Sequence, residues 1–302
     1  MNIPNTFIIG APKCGTTSMA HYLSQHSQVY MSHIKEPHYF IREDMPNLNT
    51  FSESTYLELF SYANDKHKVI MEASVWYLYG KNAAKLIKKF NPNSKLIVML
   101  RRPDEMVYSM HSQNYVSRND DIVDFETAWK LCSERKQGRN VFKQCKDNKL
   151  LAYDEIANYA SQLENIYNYF PREQVKVIFY DDFKDNVERE FLSVQKFLEL
   201  NEQRLTDYGI VNRNTTLKNE LFANIITKPP SFILRFSKIV KKIFRIKKIG
   251  LRNKLKDLNQ RAVQRVPLSK ELRIKLIKNY EVEVAKLSSL TGRDLSSWGS
   301  FE

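Results

Sequence analysis

Cysteine is scarce in this sequence, with Cys14, Cys132 and Cys145 the only three among 302 residues. An odd, sparse set argues against a disulfide framework and fits a reducing compartment. Its spacing matches no zinc site. Glycine is also scarce, with eight residues, so a glycine inside a motif carries weight. No run of 18 apolar residues occurs, so no transmembrane helix is expected. The opening Met1-Asn2-Ile3-Pro4-Asn5-Thr6 has no basic stretch followed by a long apolar one, and no secretory signal is expected. Acidic residues are missing from Pro229 to Lys256, where ten basic residues stand.

That last absence explains the charge. The formal net charge is +13, from 47 Lys and Arg against 34 Asp and Glu. Outside 229–256 the balance is 37 against 34, so the body is nearly neutral. With 42% apolar and 27% charged residues the chain has an ordinary globular composition, and wholesale disorder is excluded. Its length suits one large α/β domain, and a single domain over 1–302 is expected.

Short apolar runs alternate with helical patterns. Phe7-Ile8-Ile9, Val69-Ile70-Met71, Leu96 to Leu100 and Val175 to Tyr180 read as buried strands. Helices are expected over 17–25, 81–90, 103–117, 154–169 and 183–199, with Pro103 at a first helical position. This alternation predicts βαβ units and an α/β fold, a central parallel β-sheet flanked by helices. The region 201–228 is polar and reads as loop. A last helix runs from an N-cap at Ser269 to Thr291, striped by Leu272, Leu276, Tyr280, Val284, Leu287 and Leu290 and closed by Gly292. It makes a helical C-terminal extension.

The first chemical motif follows the first strand: Gly10-Ala11-Pro12-Lys13-Cys14-Gly15-Thr16-Thr17-Ser18. A strand, a glycine-bounded loop and a hydroxyl-rich helix start form an anion cradle, because the first-turn N–H groups and the helix dipole both favour negative charge. A P-loop NTPase would carry lysine where Thr16 stands; here the lysine is Lys13. Pro12-Lys13-Cys14-Gly15-Thr16-Thr17-Ser18 resembles the 5′-phosphosulfate loop of sulfotransferases that use 3′-phosphoadenosine 5′-phosphosulfate (PAPS). The resemblance implies a P-loop-like sheet. It also implies that Lys13 contacts the oxygen bridging phosphate and sulfate, and that Cys14, Gly15, Thr16, Thr17 and Ser18 hold the 5′-phosphate.

A second motif, Arg101-Arg102-Pro103 with Ser109, follows the strand that ends at Leu100. A strand-end arginine and a serine two helical turns on can meet one phosphate. The pattern is similar to the 3′-phosphate site of the same family and carries over Arg101 and Ser109, not Arg102. An ATPase would be expected to hold magnesium with an acid here, so a second anion is expected instead, and no metal.

Sulfuryl transfer needs a base for the acceptor proton. His33-Ile34-Lys35-Glu36-Pro37-His38-Tyr39-Phe40 offers Glu36 and His38. It resembles the heparan-sulfate type, in which a glutamate in this loop precedes an aromatic pair. Glu36 is therefore read as the base and His38 as its orienting or acceptor-contacting neighbour. In Glu72-Ala73-Ser74-Val75-Trp76-Tyr77, Val75 replaces the family's common proline. Ala73 stands where heparan-type members carry a lysine, which counts against a heparan-like acceptor. Trp76 and Tyr77 are open to two readings, stacking on a sugar or packing in the core.

The ending Gly292-Arg293-Asp294-Leu295-Ser296-Ser297-Trp298 resembles that of bacterial carbohydrate-sulfotransferase-like proteins. Asn212-Arg213-Asn214 with Lys218 lies where such enzymes often add a cofactor contact, so Lys218 joins the expected PAPS contacts. The resemblance implies in-line transfer of the sulfuryl group to a hydroxyl, or alternatively an amine, of a glycan, glycolipid or small molecule, with 3′,5′-adenosine bisphosphate as product. The 229–256 run reads as a basic amphipathic helix, with three readings open: a solvated helix, an acceptor groove or a peripheral membrane contact. Nucleic acid is not expected, since no reader motif accompanies the charge. The expected setting is the cytoplasm, with attachment to the inner membrane surface as the variant. Two other readings are a P-loop kinase or NTPase, and a non-catalytic peripheral membrane-binding protein with a relict fold.

Overall fold

The protein is described by a computed structural model over residues 2–48, 51–209, 215–227, 255, 258–262 and 266–300. In chain order the described strands are β1 (Thr6–Gly10), β2 (Val29–Met31), β3 (Val69–Ala73), β4 (Lys95–Leu100), β5 (Val175–Phe179), β6 (Thr215–Leu217) and β7 (Gln260–Ala262). The described helices are α1 (Thr16–Leu23), α2 (Glu53–Glu58), α3 (Ala83–Phe90), α4 (Pro103–Ser117), α5 (Phe125–Lys130), α6 (Cys132–Lys136), α7 (Tyr153–Ile156), α8 (Tyr159–Tyr167), α9 (Tyr180–Asp185), α10 (Val187–Phe197), α11 (Glu220–Thr227) and α12 (Lys270–Thr291). They fall into two compact units, one of Met1–Met110, Tyr153–Asn212 and Leu268–Glu302, the other of His111–Ala152 and Arg213–Pro267.

The first unit holds a five-stranded parallel sheet in the order β2-β3-β1-β4-β5. Thr6 of β1 pairs with Met71 on one side and Lys95 on the other. All of β1 is buried, and so is β4 beyond its first residue. Their near-continuous apolar sequences are what a strand covered on both faces requires. Each such Ile, Leu or Phe removed from water contributes about 1.5–3 kcal/mol. The chain leaves β1 toward β2 and β3 on one side and returns to β4 on the other. Ligands of open parallel sheets bind at this reversal, beyond the carboxyl ends of the strands.

The four expected strands form, and so do the helices after β1, before β4, after Arg102 and at the C-terminus. Other elements differ from the expectation. Val29-Tyr30-Met31 is too short to show a period, yet it pairs with Val69 to Met71. The expected 154–169 helix is two, α7 and α8, parted at Ala157-Asn158. The expected 183–199 helix is α9 and α10, because the Asn186 side chain accepts from Arg189 N (2.9 Å) and caps a new start. The polar stretch read as loop contains β6 and α11. β6 forms by antiparallel pairing with β7, more than forty residues on.

The terminal helix α12 begins as expected, with Ser269 Oγ accepting from Leu272 N (3.2 Å), and ends at Gly292 with φ 68°, where a side chain would be strained. Leu272, Leu276, Tyr280 and Leu287 are buried as it packs along α8. The residues beyond it reach β5 and α9. Trp298 lies edge-on to Phe179 and its Nε1 donates to Asp181 (2.8 Å), while Arg293 pairs with Asp182 (2.7 Å). The ending thus ties down two carboxylates at the carboxyl end of β5.

In the second unit, Arg135 and Asp120 form a fully buried two-pronged ion pair (2.7 and 2.8 Å). That geometry offsets the cost of burying both charges. Among the described residues no helix is long and apolar enough to cross a membrane.

Candidate active site

The β1–α1 loop has the form an anion needs. Gly15 adopts φ 89°, and a Cβ there would lie 3.2 Å from the Phe183 ring and 3.3 Å from Met99 Cε. Glycine is therefore favoured by the left-handed turn, and a Cβ would also press on the side-chain tips of Met99 on β4 and Phe183 on α9. Ser18 N and Met19 N bond back to Gly15 O, so helical bonding begins here and the preceding N–H groups have no intrahelical acceptor. The first turn of α1 has no acidic residue. Thr16 is buried, with Thr17, Ser18 and Lys13 half-buried beside it. Lys13 also takes a positive φ, 62°. Burial pushes the Cys14 thiol up to about 12, and its Sγ bonds to Pro12 O (3.3 Å). The thiol is thus a neutral packing group, and Cys14 can offer an anion only its backbone.

Arg101 follows the last residue of β4, the strand next to β1. Ala11 N donates to Met99 O (2.7 Å), which ties the cradle to the end of β4, and the Cys14 thiol lies within the electrostatic reach of Arg101. Glu105 on α4 pairs with the Nε and Nη2 of Arg101 (2.8 and 2.7 Å), and Tyr180 stacks under the guanidinium (4.7 Å). Burial pushes the Glu105 carboxyl up, but the charge and hydrogen bond of Arg101, together with the charges of Arg102 and Arg273, hold the group below its ordinary value. Arg102 turns elsewhere, to buried Asp104 (3.3 Å) and the carbonyls of Ser297 and Ser300. Asp104 also binds Arg273 (3.1 Å). Adjacent arginines thus have separate tasks, one at the strand end and one clamping the C-terminus. Ser109 is buried one turn beyond Glu105 on α4.

The loop after β2 carries Glu36 and His38. Glu36 Oε1 meets Lys35 Nζ (2.6 Å) and Oε2 faces His38 Nε2 (3.7 Å). Both residues take left-handed backbone angles, φ 60° and 57°. Such angles cost a non-glycine residue about 1–2 kcal/mol. The aromatic pair that follows anchors the loop. Tyr39 stacks on Tyr56 (4.3 Å), and Phe40 lies edge-on to Phe7, Tyr56, Tyr77 and Phe90 (5.2–5.9 Å).

Beneath this loop is a group that the sequence reading left without a role. Glu72 of β3 is fully buried and accepts from Ser74 Oγ (2.7 Å), Tyr77 Oη (2.8 Å) and Tyr56 Oη (3.2 Å). A carboxylate directly after the apolar run Val69-Ile70-Met71, on the same strand, was the signal, since buried carboxylates are rare. Burial pushes Glu72 up from 4.5 to about 7 against the three hydroxyls. The folded state thus keeps a proton that the unfolded chain releases near 4.5. Its contribution to stability is full below the unfolded value and is lost as the pH rises through the folded one. Between pH 4.5 and pH 8, wild type should lose on the order of 3 kcal/mol of stability relative to Glu72→Gln. Denaturant titration at both pH values measures it, and parallel losses in the two proteins refute it.

Trp76 and Tyr77 are both buried. Of the two readings open in the sequence, Tyr77 takes the core one, with its hydroxyl on Glu72 and no exposed ring face for a sugar. Trp76 packs edge-on to Tyr79 (5.9 Å). Lys218 belongs to the second unit, where its Nζ donates to Leu258 O (2.8 Å). Asn212-Arg213-Asn214 and all of the basic segment 229–256 except Leu255 lie outside the described residues.

Residues 4–222 match the sulfotransferase domain family. Human carbohydrate sulfotransferase 15 is 27% identical over 249 residues, spanning 66% of this chain and 44% of that protein. The bifunctional heparan sulfate N-deacetylase/N-sulfotransferase of Drosophila melanogaster is 24% identical over 222 residues, spanning 69% of this chain and 20% of that protein. The chain thus spans less than half the length of these curated relatives. A solved sulfotransferase structure from Alicyclobacillus acidocaldarius is 25% identical with a TM-score of 0.74, covering 99% of this chain and all of that one.

Proposed function

The chain belongs to the sulfotransferase domain family, and on that premise we propose that it transfers the sulfuryl group of PAPS to a hydroxyl of a carbohydrate acceptor. The observation that carries this reading is the meeting of three loops at the carboxyl ends of neighbouring parallel strands. β1 brings an anion cradle, β4 an arginine and the loop beside β3 a carboxylate. The residues fit an adenosine bisphosphate: one phosphate suits the N-terminus of α1 with Thr16, Thr17 and Ser18, and a second suits Arg101 with Ser109. The carbohydrate acceptor follows from the relatives named above, one of them a carbohydrate sulfotransferase.

PAPS supplies an activated sulfur whose bond to the 5′-phosphate breaks as the acceptor oxygen bonds to it. Glu36 takes the acceptor proton onto its carboxylate, and His38 orients that carboxylate from 3.7 Å. Lys35 fixes its other oxygen. Lys13 stabilises the charge that gathers on the departing oxygen. The N–H groups of the loop hold the 5′-phosphate without moving, so the field is in place before charge develops. Glu105 steadies the Arg101 fork, leaving its Nη1 edge for the 3′-phosphate.

Transfer of labelled sulfate from PAPS onto a panel of glycans, glycolipids and small alcohols, read by mass spectrometry, tests the reading. Label should appear on a carbohydrate hydroxyl. Calorimetry should show binding of 3′,5′-adenosine bisphosphate in preference to ATP-Mg. No transfer together with tighter ATP-Mg binding rejects the proposal in favour of an NTPase.

A further inference from the structure

The loop that carries Glu36 and His38 is joined to β3 and its exit through alternate backbone amides. Glu36 N donates to Ala73 O (2.9 Å), His38 N to Ser74 Oγ (3.2 Å) and Phe40 N to Tyr77 Oη (3.3 Å). Two of these three acceptors are hydroxyls, and a hydroxyl can turn. Each has one proton and two lone pairs. Ser74 and Tyr77 both give that proton to the same buried group, one to each oxygen of Glu72. With the proton committed inward, only lone pairs are left to face the loop. Tyr56, stacked on Tyr39, donates to the same carboxylate and closes the arrangement behind the aromatic anchor.

We infer that Glu72 is a positioning residue for sulfuryl transfer: through the hydroxyls of Ser74 and Tyr77 it holds the backbone of the Glu36–Phe40 loop, and so aims Glu36 and His38. The inference rests on the reading above that Glu36 is the base. Its physical content is direction. Once ionised, the buried carboxylate accepts only, so it orders both hydroxyls the same way, and the loop amides find acceptors. The left-handed angles at Glu36 and His38 make such bonds necessary, since without them the backbone relaxes to a cheaper conformation. Desolvating a carboxylate is expensive, and its three hydroxyl donors offset part of that cost. The return is a base loop placed from the rigid sheet instead of from its own flexible backbone.

The test removes the links and keeps the sheet. Ser74→Ala deletes the acceptor of His38 N, Tyr77→Phe that of Phe40 N, and Ser74→Thr keeps a hydroxyl at the first position. Hydrogen exchange read by mass spectrometry on peptides covering residues 34–41 reports the loop, and β4 peptides report the sheet. Loop exchange should quicken at least tenfold in Ser74→Ala and Tyr77→Phe with β4 unchanged, and Ser74→Thr should match wild type. In the transfer assay kcat should fall about 10- to 100-fold in the two deletions, the scale of a base displaced by about an ångström. KM for PAPS and the Kd of 3′,5′-adenosine bisphosphate should stay within about threefold. Unchanged loop exchange in both deletions overturns the inference. So does a parallel loss of nucleotide affinity and kcat, which marks damage to the sheet. If the wild-type protein transfers to no acceptor, the reading of the reaction fails, and the exchange comparison still decides whether the Ser74 and Tyr77 hydroxyls ordered by Glu72 hold the loop.

Discussion

Glu36→Gln binds 3′,5′-adenosine bisphosphate as wild type does and transfers sulfuryl about 10²- to 10⁴-fold more slowly, the range a positioned base contributes. The substitution is close to isosteric. The amide keeps an oxygen toward Lys35, whose Nζ lies 2.6 Å from Oε1, and keeps the loop anchored by Tyr39 and Phe40. What it loses is the capacity to accept a proton. The loss should appear in kcat and kcat/KM alike, because the proton moves only as the bond to sulfur forms. Steady-state transfer with saturating PAPS, paired with calorimetry of the nucleotide product, measures both halves. If turnover stays within about threefold of wild type, Glu36 is not the base. His38→Ala then becomes the decisive comparison, since His38 is the neighbouring titratable group.

Arg101→Ala weakens binding of 3′,5′-adenosine bisphosphate by about 10²- to 10⁴-fold and leaves adenosine 5′-phosphate within about threefold. A charge-assisted hydrogen bond contributes about 1.5–3 kcal/mol, and an arginine fork makes two with one phosphate. The two nucleotides differ only at the 3′ position, so their ratio isolates the contact. Loss of Arg101 also leaves Glu105, now without its partner, as a half-buried carboxylate facing the anion. Arg101→Lys keeps the charge without the fork and falls between. Calorimetry with both nucleotides decides the matter, and equal weakening of the two rejects the 3′-phosphate role. Arg102→Ala is the natural control. Its partners are Asp104 and the carbonyls of Ser297 and Ser300. It should therefore lower stability and leave the nucleotide ratio alone.

Much of the cradle could be read from the chain because its parts are contiguous. Gly10 to Ser18 contains the end of β1, the turn glycine and the first turn of α1. Helix starts and stops were equally local, as the Ser269 cap and Gly292 show. The expected 183–199 helix broke where a polar side chain competed for the backbone, that of Asn186 between α9 and α10.

The sequence by itself determined the fold class, the glycine-bounded loop and the residue types on which the proposed transfer chemistry rests, because each depends on neighbours a few positions apart. Only the tertiary structure decided which way those side chains turn. It sends Arg101 to Glu105 and Tyr180, and Arg102 to the C-terminal ending. It gives the Tyr77 hydroxyl to Glu72 and buries the ring. It sets Glu72 in a buried ring of hydroxyls that reach the Glu36–Phe40 loop. These outcomes rest on burial and on partners dozens of residues away. A side chain in a packed interior takes the direction that satisfies its polar atoms there, and no local pattern records it.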